Sequence, residues 1–239
     1  MAAHPPDMVI IGEATDLNLV HGGRGRAELH LTTTGKPSHS STPHLGRNAV
    51  LDMVRVIDAI GALELGEDPI VGPAVLALTD IVSQPWPGNS VIPSICKVTY
   101  DRRLLPGESA DGVIAEITSL PAVKGLPLDV RIGESGYSAW TGASLATHKF
   151  FPAWVLDAEH PLVTRALALL GQVGQTPALS AYRFCTNAAY SAGVAGIPTI
   201  GYGPATEHDA HVIDERLLLE DLFDAATGYA ALIEGLLKG

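Results

Sequence analysis

The run Met8-Val-Ile-Ile11 is apolar without a break and stops at Gly12-Glu13. This pattern predicts a short strand buried on both faces of a parallel sheet. A strand of that central type at the start of the sequence points to sheet partners supplied from elsewhere. From Arg24 the texture changes. Ala27, Leu29 and Leu31 alternate with Glu28, His30 and Thr32, the period of a half-buried strand. Val50, Met53, Val54, Ile57 and Ile60 recur at helical spacing between Asn48 and Leu63, with Gly61 and Gly66 marking the end. Two strands are expected at 75–82 and 91–104, then a helix capped by Ser109 and a strand at 128–132. Strand–helix–strand–strand–helix–strand is the ferredoxin-like βαββαβ order.

The tail has a different pattern. Pro161 suits the first position of a helix carrying Leu162, Val163, Ala166, Leu167 and Leu170. Ile197 to Tyr202 reads as a buried strand, and 214–238 as a long amphipathic helix ended by Gly239. The expected architecture is α/β: a mixed-sheet domain, contributed by 1–23 and 135–239, with a ferredoxin-like domain inserted at 24–134.

Composition narrows the function. The 239 residues are 46% hydrophobic and 17% charged, ample for a packed core. Lys plus Arg number 15 against 26 Asp plus Glu, a formal charge of −11 with no basic run, which argues against nucleic-acid binding. No stretch has the length of a membrane span, Met1-Ala-Ala-His-Pro-Pro lacks signal-peptide shape, and a cytoplasmic location is expected. Cys96 and Cys185 show neither disulfide nor Cys-zinc spacing.

Candidate chemistry sits at strand ends. Glu13 follows the first apolar strand, where open α/β sheets place ligands, with Thr15 and Asp16 beside it. From position alone, a solvated turn residue is the simpler reading. The segment after the 197–202 strand packs Glu207, His208, Asp209, His211, Asp214 and Glu215 into nine positions, a density that favours a divalent metal over a structural histidine. If both strands join one parallel sheet, Glu13 and His211 face one crevice. His39, in a Gly/Pro/Ser-rich loop, suits donation to an oxyanion or carboxylate. Asn89 and Arg103 could clamp a carboxylate, although strand arginines are usually just solvated. Neither a nucleophile elbow nor a P-loop is found, and Gly22-Gly-Arg-Gly25 fails the dinucleotide fingerprint.

Taken in order, Ile11-Gly-Glu-Ala-Thr15, Arg24-Gly25, Gly35-Lys-Pro-Ser-His39, Pro43-His-Leu-Gly-Arg-Asn-Ala49, Asn89-Ser-Val-Ile-Pro93, Asp101-Arg-Arg103 and Ala210-His211 with Asp214-Glu215 form a set. The set resembles the di-zinc amidohydrolase and exopeptidase family of acetylornithine deacetylase, succinyl-diaminopimelate desuccinylase, aminoacylase and carboxypeptidase G. Phe150 to Trp154 and Gly203 to Glu215 are most similar to a branch of hydrolases associated with selenium metabolism. The resemblance implies that Glu13 and His211 are zinc ligands. It implies that His39 is a lid histidine reaching the partner subunit's active site, and that Asn89 and Arg103 contact substrate. It makes 24–134 a lid and dimerisation domain, hence a homodimer. Two zinc ions are implied, with cobalt or manganese as alternatives.

Two departures stand out. The family's His-x-Asp ligand motif, bridging aspartate and Glu-Glu pair precede the Gly-Glu-Ala-Thr turn and are not in this sequence. The glutamate that acts as general base belongs to that pair. A carboxylate-binding arginine used by many members after the lid is replaced near Tyr137. The expectation is a metal-dependent hydrolase of amide or peptide bonds in small N-acyl amino acid or dipeptide-like substrates, truncated as it stands. Weak zinc binding by this chain and an exposed apolar surface on the C-terminal block are expected with it. The alternative is a non-catalytic dimerising or ligand-binding remnant.

Overall fold

The computed structural model describes residues 4–238. Met1–Ala3, part of the N-terminal segment judged against a signal peptide, and Gly239, expected to end the last helix, lie outside the described residues. The chain divides into two compact units. The first comprises the residues up to Gly25, Glu67–Gly72 and everything from Phe151; the second comprises Arg26–Gly66 and Pro73–Phe150.

In chain order the leading elements are β1 (Val9–Ile11), β2 (Leu19–Gly23), β3 (Gly25–Thr34) and α1 (Ala49–Gly61). Next come the two-residue strands β4 (Glu67–Asp68) and β5 (Gly72–Pro73), then β6 (Val75–Gln84), β7 (Ile95–Leu104), α2 (Ala110–Thr118) and β8 (Leu128–Ile132). A hairpin of β9 (Glu134–Ser138) and β10 (Ser144–His148) precedes the short β11 (Phe150–Phe151) and β12 (Trp154–Val155). The tail holds α3 (Pro161–Gln172), β13 (Leu179–Tyr182), α4 (Ala188–Ser191), β14 (Thr199–Gly201) and α5 (Leu219–Leu237).

The second unit has the expected βαββαβ order. Its sheet runs β8-β3-β7-β6, with β3 antiparallel to β8 and β6 antiparallel to β7. Alternation decides the faces: Ala27, Leu29 and Leu31 of β3 and Cys96, Val98, Tyr100 and Leu104 of β7 are buried. Met53, Val56 and Ile60 of α1 and Val113 and Ile117 of α2 complete this core. Asn48 caps α1 by accepting from Val50 N at 2.9 Å, and Ser109 caps α2 by accepting from Gly112 N at 3.1 Å. Strand β7 starts at Ile95 rather than Val91. Residues 91–94 instead bond to the preceding loop, with Ile92 N donating to Ser38 O at 2.8 Å.

The first unit is built on a mixed sheet ordered β1-β14-β2-β12, with β13 also pairing β2. Strands β1 and β14 are parallel, Val9 opposite Thr199, and β14 is antiparallel to β2. One side of this sheet packs Leu19, Ile200, Tyr202, Leu162, Leu170 and Leu232; the other packs Val20, Trp154, Tyr182 and Ala188. Strand β1 was expected to be buried on both faces, yet Val9–Ile11 are only half-buried, because β14 is its one strand neighbour. The last helix begins at Leu219 rather than Asp214. His211 (φ 61°) and Asp214 (φ 63°) hold left-handed backbone that interrupts a helix.

Candidate active site

Parallel pairing of β1 and β14 puts the residues that follow each strand at one edge of the sheet. Glu13 leaves β1 there, and the 203–215 loop leaves β14 there. Backbone bonds stitch the two segments, Asp16 N to Ala205 O at 2.8 Å and Leu17 N to Gly203 O at 3.0 Å. Buried Thr15 adds to this stitching. Its single O–H hydrogen is shared between Gly203 O (2.9 Å) and Asn18 O (2.8 Å), and its oxygen accepts from Gly203 N (3.0 Å). Gly203 must be glycine here, since a Cβ would strike the Glu13 carbonyl.

Because Thr15 serves both the N–H and the C=O of Gly203, Thr15→Val is expected to lower stability by about 1–3 kcal/mol. Local hydrogen exchange should rise most at residues 13–17. Wild-type exchange there in the variant would contradict this role.

Two tyrosines support the Glu13 turn. Tyr182 O–H donates to Ile11 O at 3.1 Å, and Tyr229 O–H donates to Tyr202 O. Burial pushes both phenols above their ordinary pKa, and the nearby Glu13 charge adds to it. Beside this turn lies a polar crevice of about 220 Å3, lined by Thr15, Asp16, Asn18, Arg183, Glu207 and His208 among others. His211 does not line it and is exposed, as is Glu13.

Among the described residues no group of three or more His, Cys, Asp or Glu side chains is arranged to hold a metal ion. By themselves the donors present do not complete a site for a zinc pair.

In the second unit, two expected site residues come together although fifty positions separate them. His39 bridges Val91, Ser40 N donates to Ser90 O at 2.8 Å, and Asn89 (φ 33°) and Ser90 (φ 67°) take left-handed backbone to make the turn. Ser41 N donates to His39 Nδ1 at 3.1 Å, and Ser41 Oγ lies 2.7 Å from the same atom. A backbone N–H requires Nδ1 to accept, so the neutral ring carries its proton on Nε2, ready to donate outward. Arg103 is not part of this pair. It lies eight residues along β7 from Ile95, about 26 Å at roughly 3.3 Å per residue, and its guanidinium meets Asp101 at 3.0 Å.

The fold and these loops match known proteins. The M20 peptidase dimerisation domain matches residues 21–127. The uncharacterized protein YgeY of Escherichia coli (strain K12) is 33% identical over 230 residues, covering 95% of this chain and 57% of that protein. Acetylornithine deacetylase of Vibrio vulnificus is 30% identical over 225 residues, 90% of this chain and 54% of the relative. This chain carries the dimerisation domain of the M20 peptidases. Aminopeptidase PepT from Bacillus cereus shares the fold with a TM-score of 0.71 at 18% identity, covering 96% of this chain and 57% of that structure. The chain thus spans a little over half the length of these relatives. Sequence reasoning passed over Arg183, Tyr182 and Tyr229. Tyr182-Arg-Phe-Cys185 carries no motif, and only the folded sheet brings it beside Asp16.

Proposed function

We propose that this chain is the C-terminal portion of a metal-dependent hydrolase of amide or peptide bonds, acting on small N-acyl amino acid or dipeptide-like molecules. The observation that supports this best is the parallel β1–β14 pair, which brings the Glu13 turn and the His211 loop to one sheet edge. In this reading Glu13 and His211 are two of the ligands to a zinc pair, or to cobalt or manganese in its place. The other ligands and the general base come from residues outside this sequence. His39 donates through Nε2 to the scissile carbonyl oxygen. Asn89, in the neighbouring loop, contacts the same substrate, which is held by the partner subunit, and Arg103, about 26 Å away along β7, contacts a different substrate molecule from the one His39 reaches.

The exposed apolar side chains of the 212–223 segment agree with missing cover. Ile213 is 93% exposed, Leu219 71% and Phe223 69%. No helix among the described residues is long and apolar enough to cross a membrane, and a cytoplasmic location suits the reading. A non-catalytic dimerising remnant is the competing reading, favoured by the lack of any three-donor group among the described residues.

The test extends the protein with a segment carrying His-x-Asp, a further aspartate and Glu-Glu, and assays N-acyl amino acids with zinc. The chain alone should bind zinc weakly and hydrolyse nothing. The extended protein should hydrolyse them, and Glu13→Ala or His211→Ala should each reduce kcat at least about a hundredfold, as loss of a main catalytic group does. Full activity in both variants would remove these residues from the site.

A further inference from the structure

The sequence holds ten arginines in a chain rich in carboxylates. Nine of them have a hydrogen bond or ion pair, from Arg24 on the Val71 carbonyl to Arg216 on Asp209. Among the described residues Arg183 is the one arginine with no partner. It lines the crevice beside the Glu13 turn, where Asp16 and Glu207 also sit without pairing to it.

The neighbouring groups are set as donors. Ala178 N donates to Asn18 Oδ1 at 3.0 Å, which fixes the amide and leaves its NH2 free. Thr206 Oγ1 accepts from His208 N at 3.3 Å, leaving its O–H to donate. A guanidinium, an amide NH2 and a hydroxyl facing one polar crevice are the complement of a carboxylate. Asp16 and Glu207 repel a simple anion but suit a molecule that also carries an amino or amide N–H. At about 220 Å3 the crevice is smaller than drug-sized pockets and admits a small metabolite.

We propose that Arg183 is a carboxylate-binding, specificity-determining residue, and that this crevice takes the carboxylate end of a small amino-acid-type molecule. The inference builds on the proposed substrate class, but it is tested by binding rather than turnover.

The experiment titrates the full chain with N-acetylglycine and with N-acetylglycinamide, which differ in the carboxylate, following backbone amide NMR shifts. N-acetylglycine should shift Asn18, Arg183 and Thr206 saturably, and the amide should bind at least about tenfold more weakly, the scale of one charge-assisted hydrogen bond. Arg183→Ala should weaken N-acetylglycine about tenfold or more and Arg183→Lys less, both with unchanged melting temperature since the side chain is exposed. No saturable shift, equal binding of the amide, or wild-type affinity in Arg183→Ala would each overturn the proposal. Failure of Arg183 leaves the roles of Glu13 and His211 untouched. Binding without those roles leaves a carboxylate-binding protein that is not a hydrolase.

Discussion

Lysine at both Ile81 and Val82 is expected to turn a dimer of this chain into a monomer. Strand β6 is the outer strand of its sheet, so one row of its backbone N–H and C=O groups has no partner strand. It is ten residues long, lacks Pro and Lys, and exposes Leu78, Ile81 and Val82 beside a highly exposed Trp86. Soluble proteins rarely leave such an edge open. Pairing with the same strand of a second copy would cover it isologously, each copy offering the other the same surface. An apolar groove of about 420 Å3, lined by Val50, Ile81, Val82 and Trp86, continues this surface toward α1. Alternate residues of a strand face opposite sides, so the two lysines charge both flanks of the edge. Sedimentation velocity should show twice the chain mass for wild type and the single-chain mass for the variant, with unchanged far-UV circular dichroism. A wild-type monomer, or a variant that stays dimeric, would rule out this edge as the interface.

Arg102→Met should cost about 3–5 kcal/mol, the range for breaking a buried ion pair from one side. Arg102 is 2% exposed, yet it sits on a strand whose neighbouring buried positions are apolar. Its guanidinium meets Glu108 and, at 2.7 Å, Glu116 of α2, while Glu108 also accepts from Leu105 N at 2.8 Å. One side chain therefore ties β7 to the loop before α2 and to the helix itself. Methionine keeps much of the volume but leaves two carboxylates facing each other without a cation. Chemical denaturation of the variant measures the loss, and adding Glu108→Gln and Glu116→Gln to Arg102→Met should recover part of it. A loss below about 1 kcal/mol would reduce the trio to a surface-type pair.

Much of the fold was legible because its elements follow simple periods. The alternation from Ala27 to Leu31 and the helical spacing from Val50 to Ile60 each encode a face as well as an element, so the βαββαβ order could be read directly. Strand β2 was not legible, since Leu-Val-His-Gly-Gly carries too little pattern to mark a strand. The β9–β10 hairpin was hidden for another reason: its residues are exposed on both faces, so no alternation is required of them. At the site, Glu13 and His39 stood out by their place after a strand or in a polar loop. The pairing of His39 with Asn89 depends on bonds between loops fifty residues apart, and Arg183 on a lateral sheet neighbour. Neither relation leaves a local trace. The start of α5 was misplaced because amphipathic spacing continues through 214–218 while the backbone does not.

Gly25 has no room for a side chain. A Cβ there would collide with the backbone of Phe151 to Ala153, so the chain leaves the first unit and returns to it at nearly the same point. Apart from Glu67–Gly72, which belongs to the first unit, the intervening stretch is a closed loop of more than a hundred residues, and Thr15 and Gly203 are bonded across all of it. Closing a flexible loop grows more costly by about 0.6 kcal/mol per doubling of its length. A loop that has already condensed into its own sheet and two helices behaves as a much shorter one. The second unit is therefore expected to fold before the first, with the Glu13 turn among the last contacts to form; pulsed hydrogen exchange that protects residues 13–17 as early as β3 and β7 would contradict this.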